Sequence, residues 1–314
     1  MKIIENTTEF HIDEPTAVAI GKFDGFHLGH QRIFEKLLEA KKKNLKTVIF
    51  TFNPSPAAFF GGRQIPSLST IREKKRYMER LGIDYYVEYP FYEKTAAVEP
   101  EDYVRDFLLE KLHMHRLVAG EDVSFGAKGR GDALLLKEMS NVYGFGLHII
   151  PKRTWKGMEI SSTLVRDLIG EGDMEAACEL LGRPYAIFET VAQGKKLGRK
   201  IGIPTANLYP SKEKFLPPFG VYYGKAELCK PNSDRHLSFP AVINVGIRPT
   251  VNDGERVSAE GFFIGCSEEV YGWDAEFFLQ HFARAEKRFD DVDRLKAAVE
   301  EDLMGAKAYF MEQM

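Results

Sequence analysis

A chain of 314 residues, 44% hydrophobic and 28% charged, is long enough for two globular cores, and a formal net charge of −3 gives no basic field for a nucleic-acid partner. Cys178, Cys229 and Cys266 stand far apart with no CxxC pair, which argues against a disulfide framework or a structural zinc site and fits a reducing, cytoplasmic setting. The first residues carry charges without an apolar core, and no apolar run approaches the roughly 20 residues of a membrane span, so neither a signal peptide nor a membrane partner is expected.

The first half alternates between strand and helix patterns. Residues 16–21 (TAVAIG) read as a buried strand, and residues 31–43 as a helix with Ile33, Phe34, Leu37 and Leu38 on one side. Strand patterns follow at 46–52, 83–91, 116–120 and 146–151, with helices expected over 69–80, 101–112 and 132–142. This rhythm predicts an α/β fold, a parallel sheet with helices on both faces, and ligands in such sheets bind beyond the carboxyl ends of the strands. After about residue 184 the pattern changes to short β-rich runs at 185–194, 220–228, 239–246, 259–265 and 275–282, separated by turn residues. They predict a small barrel or sandwich, closed by a helix over 293–311, and a domain division of 1–183 and 184–314.

The stretch GKFDGFHLGH, residues 21–30, lies at the first strand end. A helix beginning near 28–31 offers backbone N–H groups and the positive end of its dipole, which suit a phosphate. Gly21, Gly25 and Gly29 let the backbone approach a ligand, and His27 and His30 can donate hydrogen bonds to phosphate oxygens and stabilise charge developing on a transferred group. A capped turn with two exposed histidines is the plain alternative, and a metal site lacks a third ligand nearby. No Walker loop and no GxGxxG after a strand occurs. Ser161, Ser162 and Thr163 open a second helix with Arg166 one turn in, again an anion site. Two such sites in one α/β domain suggest a triphosphate held from two sides.

The second half offers GKKLGRKIGIPTANLYP, residues 194–210, a basic glycine loop followed by a proline-fixed extended segment. Lys195, Lys196, Arg199 and Lys200 can screen phosphates. Thr205 and Asn207 alternate, so both face one way, and two neutral oxygens there can hold a hard cation such as Mg2+ with phosphates supplying the rest. A solvated basic hairpin is the structural alternative.

Together these residues resemble the prokaryotic bifunctional riboflavin kinase/FMN adenylyltransferase family, often called FAD synthetase, whose first half belongs among the HxGH nucleotidyltransferases. The likeness runs from about residue 16 to 303. TFNPSP (51–56) is similar to the family's TF-x-P-x-P segment, and AGEDVSFGAKGRGD (119–132) to its G-x-D-x-x-FG loop. GIPTAN (202–207), FLPPFGVYYG (215–224), INVGIRPT (243–250), SAEGFFIG (258–265) and ARAEKRF (283–289) resemble the riboflavin-kinase segments in the family's order. The sequence departs from the family at Asn53 and Ser55, where an acidic residue and a His are frequent, and at Gly261 and Phe262, where a larger residue and a His are usual.

The resemblance implies an N-terminal Rossmann-like nucleotidyltransferase domain with a parallel sheet, followed by a small antiparallel β-barrel kinase domain with a terminal helix. It implies two reactions: riboflavin and ATP give FMN and ADP, and FMN and ATP give FAD and pyrophosphate, with Mg2+ as cofactor. It assigns His27, His30 and Arg166 to phosphate stabilisation and Glu260 to the role of base. Nucleotide contacts fall on Gly21, Phe23, Asp24, Gly25, Gly29, Ser161, Ser162 and Thr163 in the first domain, and on Gly194, Gly198, Lys200, Thr205 and Asn207 in the second. Thr205 and Asn207 also take the metal, and Asn53, Asp122, Phe125 and Arg284 the flavin. The partners are these small molecules, with a monomer or a weak homo-oligomer expected. Two rival readings are a single-activity adenylyltransferase acting on another phosphate ester and a flavin-binding protein that has lost its chemistry. Thr205, Asn207 and Glu260 speak against the first, and the retained His27, His30, Arg166, Thr205, Asn207 and Glu260 against the second.

Overall fold

The strands β1 (Lys2–Glu5), β2 (Thr16–Ile20), β3 (Lys46–Asn53), β4 (Tyr85–Pro90), β5 (Met114–Gly120) and β6 (Gly146–Ile150) form one six-stranded sheet in the order β1-β4-β3-β2-β5-β6. Every neighbouring pair is parallel. The structure is a computed structural model and describes residues 1–62, 65–192, 205–250, 254–287, 289 and 291–311. Gly194, Lys195, Lys196, Gly198, Arg199 and Lys200 lie outside the described residues.

Around this sheet run α1 (Leu28–Leu38), α2 (Pro56–Gly61), α3 (Ile71–Arg80), α4 (Glu93–Ala96), α5 (Pro100–Asp102) and α6 (Ala133–Tyr143). The chain of α5 continues as a wider π-type helix over Tyr103–Lys111. Successive residues of a strand point to opposite faces, and here both faces are covered. Ala17, Ala19, Ile49, Tyr86 and Val118 pack with Ile33, Phe34 and Leu37 of α1 and Met78 of α3. Val18, Ile20, Val48, Phe50, Val87 and Leu117 pack on the other side with Val104, Phe107, Leu108, Leu136 and Met139. All five residues of β2 are therefore buried. The winding reverses between β2 and β5, which makes the crevice beyond their carboxyl ends the natural ligand position.

Two local differences from the sequence expectation matter. The helix pattern read over 31–43 begins at Leu28, the early end of the 28–31 start, because His27 already holds the extended backbone of a cap residue, φ −61° and ψ 169°. Its tail tightens into a 3-10 turn over Glu39–Lys43 and stops at Asn44 in left-handed conformation. α2 was not expected from periodicity, yet it has a Pro at its start and a Ser55 cap that accepts the Ala58 N–H.

The chain divides into two compact units, Met1–Ser162 and Thr163–Met314. A short hairpin, β7 (Thr154–Trp155) and β8 (Met158–Glu159), precedes the division. It is followed by α7 (Ser162–Glu171) and α8 (Met174–Leu181), then by β9 (Tyr185–Thr190), β10 (Ala206–Leu208), β11 (Gly220–Cys229), β12 (His236–Thr250), β13 (Gly254–Phe263), β14 (Asp274–Ala285) and α9 (Val292–Met311). The second sheet is antiparallel in the order β10-β13-β12-β11-β14-β9. Its two edges meet at a bridge between Ala192 and Asn207, where the Ala192 N–H donates to the Asn207 carbonyl at 2.9 Å, and this closes the barrel. On the outside α9 sets Leu303, Ala306 and Phe310 against Val221 and Val242.

Candidate active sites

The histidine turn is built from unusual backbone. Phe23 (φ 47°), Gly25 (φ 83°) and Phe26 (φ 53°) all take left-handed conformations. A non-glycine residue there costs about 1–2 kcal/mol. Burial offsets this: Phe23 and Phe26 are almost fully enclosed, Phe26 stacks on Tyr77 at 4.2 Å, and Phe23 packs on Phe34 at 5.0 Å. A fully buried Phe contributes about 1.5–3 kcal/mol, enough to hold the strained residues in place. Gly25 supplies a conformation that a side chain resists. Gly29 and Gly21 do something other than expected. A Cβ on Gly29 would stand 3.1 Å from His27 Nδ1, and one on Gly21 2.9 Å from the Phe23 ring. These two glycines make room for the turn's own rings.

His27 and His30 stack face to face, with ring centroids 3.7 Å apart and planes 20° from parallel. Burial pushes His27 down to about 4, against the opposing pull of Asp24 and Asp122. Burial first, then His27 and Lys74, hold His30 well below its ordinary value. Both imidazoles are therefore neutral near pH 7. Their Nδ1 atoms are buried and have no hydrogen-bond partner among the described residues. Buried polar atoms in folded proteins are normally satisfied, so two orphans side by side point to a polar ligand. The end of α1 supports this. Thr70 caps α3 and Asp132 caps α6 with their side chains, whereas no side chain caps α1. The positive end of α1 is left available to an anion.

A cleft of about 470 Å3 opens at the ends of β2, β3 and β5, lined among others by Gly21, Lys22, Phe23, His30, Thr51, Asp122 and Phe125. A second hollow of about 450 Å3 adjoins it, lined by Phe52, Phe60, Phe91, Tyr103, Phe125 and Lys128 among others. Phe52, Tyr103 and Phe125 belong to both. One end is polar and charged and the other aromatic, which suits a flat ring system carrying a phosphate.

Gly21, Phe23, His30, Asp122 and Phe125 thus come together in one cleft. His27 lies against His30. Asp24 does not face outward: it is 1% exposed, its Oδ1 accepts the Ser69 N–H at 3.1 Å, and its carbonyl accepts the Ser162 hydroxyl at 2.8 Å. Asn53 is exposed at the end of β3, and its carbonyl accepts the Phe91 N–H. Thr163 and Arg166 lie on α7 in the second unit. Sequence reasoning missed Lys74, buried on α3, whose Nζ donates to the Lys22 carbonyl at 3.0 Å. It stands in the run REKKR, which reads as a solvated face, and nothing in the spacing singles it out.

In the second unit Asn207 lies directly opposite Glu260 across β10 and β13, and Glu260 in turn opposite Asn244 across β12. The Thr205 hydroxyl donates to Glu260 Oε1 at 2.5 Å, and Asn207 is 3% exposed. A hydroxyl, an amide and a carboxylate gathered on one barrel edge form a hard-oxygen donor set. Among the described residues no group of three or more His, Cys, Asp or Glu side chains could hold a metal by itself. A small recess beside Thr205 is lined by Cys266, Glu268, Glu269 and Tyr271. Arg284 is engaged with the terminal helix: Nε and Nη2 reach the two carboxylate oxygens of Asp302 at 2.8 and 2.6 Å. Gly261 has its space filled by Phe277, since a Cβ there would stand 2.7 Å from that ring. The volume usual at position 261 is supplied from β14, a strand that does not pair with β13.

A phosphate-ready crevice on a parallel sheet and an oxygen cluster on a barrel define a two-domain transferase. Residues 9–164 match the family described as FAD synthetase, and residues 181–310 the family described as riboflavin kinase. The chain is 34% identical over 307 residues to the bifunctional riboflavin kinase/FMN adenylyltransferase of Listeria monocytogenes, covering 97% of this chain and 95% of that protein. It is 35% identical over 303 residues to the protein of the same name from Escherichia coli, covering 95% and 93%. The chain belongs to the bifunctional riboflavin kinase/FMN adenylyltransferase family. Its fold is also similar to that of a macrolide-efflux protein from Streptococcus pneumoniae, with a TM-score of 0.79 and 26% identity over 97% of this chain and 98% of the other. Among the described residues no helix is long and apolar enough to cross a membrane.

Proposed function

We propose that the chain makes FMN from riboflavin in its C-terminal domain and FAD from FMN in its N-terminal domain, with the division near residues 183 and 184. The observation that carries the second activity is the neutral, stacked pair His27 and His30, with orphaned Nδ1 atoms beside the uncapped start of α1. In that step an FMN phosphate oxygen bonds to the α-phosphorus of ATP and the bond to pyrophosphate breaks. No covalent enzyme intermediate is needed, so positioning and charge stabilisation suffice. The two imidazoles and the α1 N–H groups bind the phosphates, and the aromatic hollow around Phe52, Tyr103 and Phe125 takes the flavin ring. Arg166, Ser161, Ser162 and Thr163 are assigned to the nucleotide on their motif alone.

In the kinase step the primary hydroxyl of riboflavin attacks the γ-phosphorus, its proton goes to Glu260, and ADP leaves. Thr205 orients that carboxylate through its hydrogen bond. The donor set of Thr205 and Asn207 fits Mg2+, which when bound neutralises phosphate charge. The setting is the cytoplasm, in keeping with three free cysteines, and the partners are the small-molecule substrates, with the chain a monomer or a weak homo-oligomer.

The test uses the full chain with ATP and Mg2+, riboflavin in one reaction and FMN in another, with flavins separated by chromatography. FAD is expected from both. His30→Ala should abolish FAD while FMN formation continues, and Glu260→Ala should stop FMN formation while supplied FMN still becomes FAD. Loss of both activities from either substitution in a folded protein would sink the two-site reading.

A further inference from the structure

The strained turn that presents His30 is held from outside by residues 69–74, besides the Ser162 hydroxyl on the Asp24 carbonyl. Thr70 caps α3 in a reciprocal box with Glu73, its hydroxyl accepting the Glu73 N–H at 3.2 Å and its own N–H reaching the Glu73 carboxylate at 2.8 Å. That box fixes the direction in which the helix starts. Immediately before it, the Ser69 N–H grips the Asp24 carboxylate. One turn later, Lys74 reaches back to the Lys22 carbonyl. The turn is thus tied at a side chain and at the main chain, two residues apart. Left-handed Phe23 and Phe26 persist only where the surroundings over-determine them, and these ties do so.

Lysine is an odd choice for a mere tie. It is 9% exposed, and an ammonium gives up much of its hydration on burial. Glu88 on β4, itself 7% exposed and raised by burial, feels Lys75 and, more weakly, Lys74. An amide or hydroxyl would serve the Lys22 carbonyl without that desolvation. The charge itself therefore calls for a role, and it is felt at His30.

We propose that Lys74 is a positioning residue for adenylyl transfer, its buried side chain fixing the Lys22 carbonyl and setting a positive charge near His30. This rests on the reading of the histidine turn as the adenylyl-transfer site. The charged and titratable groups around His30 are His27 at the cap of α1, Lys74 from α3, Lys22 and Asp24 from the turn, and Asp122 from the loop after β5. Burial is the main cause that keeps His30 neutral, and His27 and then Lys74 add to it, so the imidazole meets the triphosphate in its neutral form. The same charge attracts the phosphates it helps to place.

The experiment compares Lys74→Met, Lys74→Arg and His30→Ala in the full chain. FAD formation from FMN is measured beside riboflavin phosphorylation, and the His30 ring is titrated by NMR. Lys74→Met should lower FAD formation on the order of a hundredfold, the scale of a misplacement of about 1 Å, and leave riboflavin phosphorylation unchanged. Its His30 midpoint should move upward. Lys74→Arg should return the midpoint to its low value and recover part of the turnover. A role confined to stability would leave the midpoint where it was. Lys74→Gln, which keeps a donor for the carbonyl without the charge, decides the matter where the methionine variant does not fold: a raised midpoint supports the inference and an unmoved one overturns it. Full FAD formation in Lys74→Met, alongside its loss in His30→Ala, overturns the role of Lys74 alone. FAD formation that survives His30→Ala overturns the site reading, and the inference with it.

Discussion

The pairing of Arg284 with Asp302 makes a prediction about which activity fails first on heating. Asp302 is 6% exposed and holds both forks of the guanidinium, while Nη1 of Arg284 also donates to the Ala285 carbonyl. Asp302→Asn keeps the shape, removes the charge and sets an amide N–H2 against the guanidinium. Breaking a buried pair by removing one partner costs about 3–5 kcal/mol. The Arg284 side chain keeps 22% exposure, and solvent screening there brings the figure to about 2–3 kcal/mol. For a unit of roughly 150 residues each kcal/mol lowers the midpoint by about 2–4 °C, so a fall of about 4–12 °C is expected in the second unit. The closeness of the docking supports a sharp effect: a Cβ on Gly305 of α9 would stand within 2.1 Å of the Tyr223 hydroxyl, so this helix lies hard against β11. The assay is calorimetry of the full chain, read together with the two activities after brief heating. Riboflavin phosphorylation should be lost at the lower temperature while FAD formation from FMN persists. A variant with an unshifted second-unit transition would refute the reasoning and reduce the pair to an ornament of the surface.

Gly29→Ala should separate stability from activity. The added methyl raises helix propensity by about 0.5–1 kcal/mol, yet it meets the His27 ring at 3.1–3.2 Å. The unfolding midpoint should hold or rise while FAD formation falls roughly tenfold to a hundredfold, and equal activity would show that the ring moves aside freely. The first unit should also weaken in mild acid. His27 titrates near 6.5 when unfolded and at about 4 when folded, so between those values the unfolded chain binds a proton that the folded one refuses. Stability is full above 6.5, falls as the pH drops through the window, and levels off below about 4, a loss of roughly 3 kcal/mol from this residue. Urea unfolding of the parent and of His27→Gln across that range measures it; parallel curves would rule the effect out.

Much of the fold was legible because near-continuous apolar runs mark strands buried on both faces, as in β2 to β4, with helical periodicity between strands. β1 was not, since Lys2, Ile3 and Glu5 are exposed and an edge strand carries no clear alternation. The histidine turn announced itself through its glycines and its place at a strand end. What each glycine does was hidden, because the rings that fill the space above Gly21 and Gly29 are placed by left-handed backbone at Phe23 and Phe26. Lys74 was hidden for a different reason. A charged residue in a charged run looks solvated until tertiary structure folds the helix against a carbonyl that lies 52 residues earlier. Thr205, Asn207 and Glu260 were legible as residues but not as a cluster, since only strand register sets Asn207 beside Glu260.

The barrel's closure carries a consequence of its own. Its edges are stitched through the main chain of Asn207, whose side chain is the proposed ligand for nucleotide and metal. One residue is both clasp and receptor. A ligand that holds the Asn207 amide also holds β10 to the opposite edge, so filling the site tightens the circumference of the whole domain. The backbone proton of Ala192 then becomes a reporter of the site: its exchange with solvent should slow as the kinase takes up its substrate.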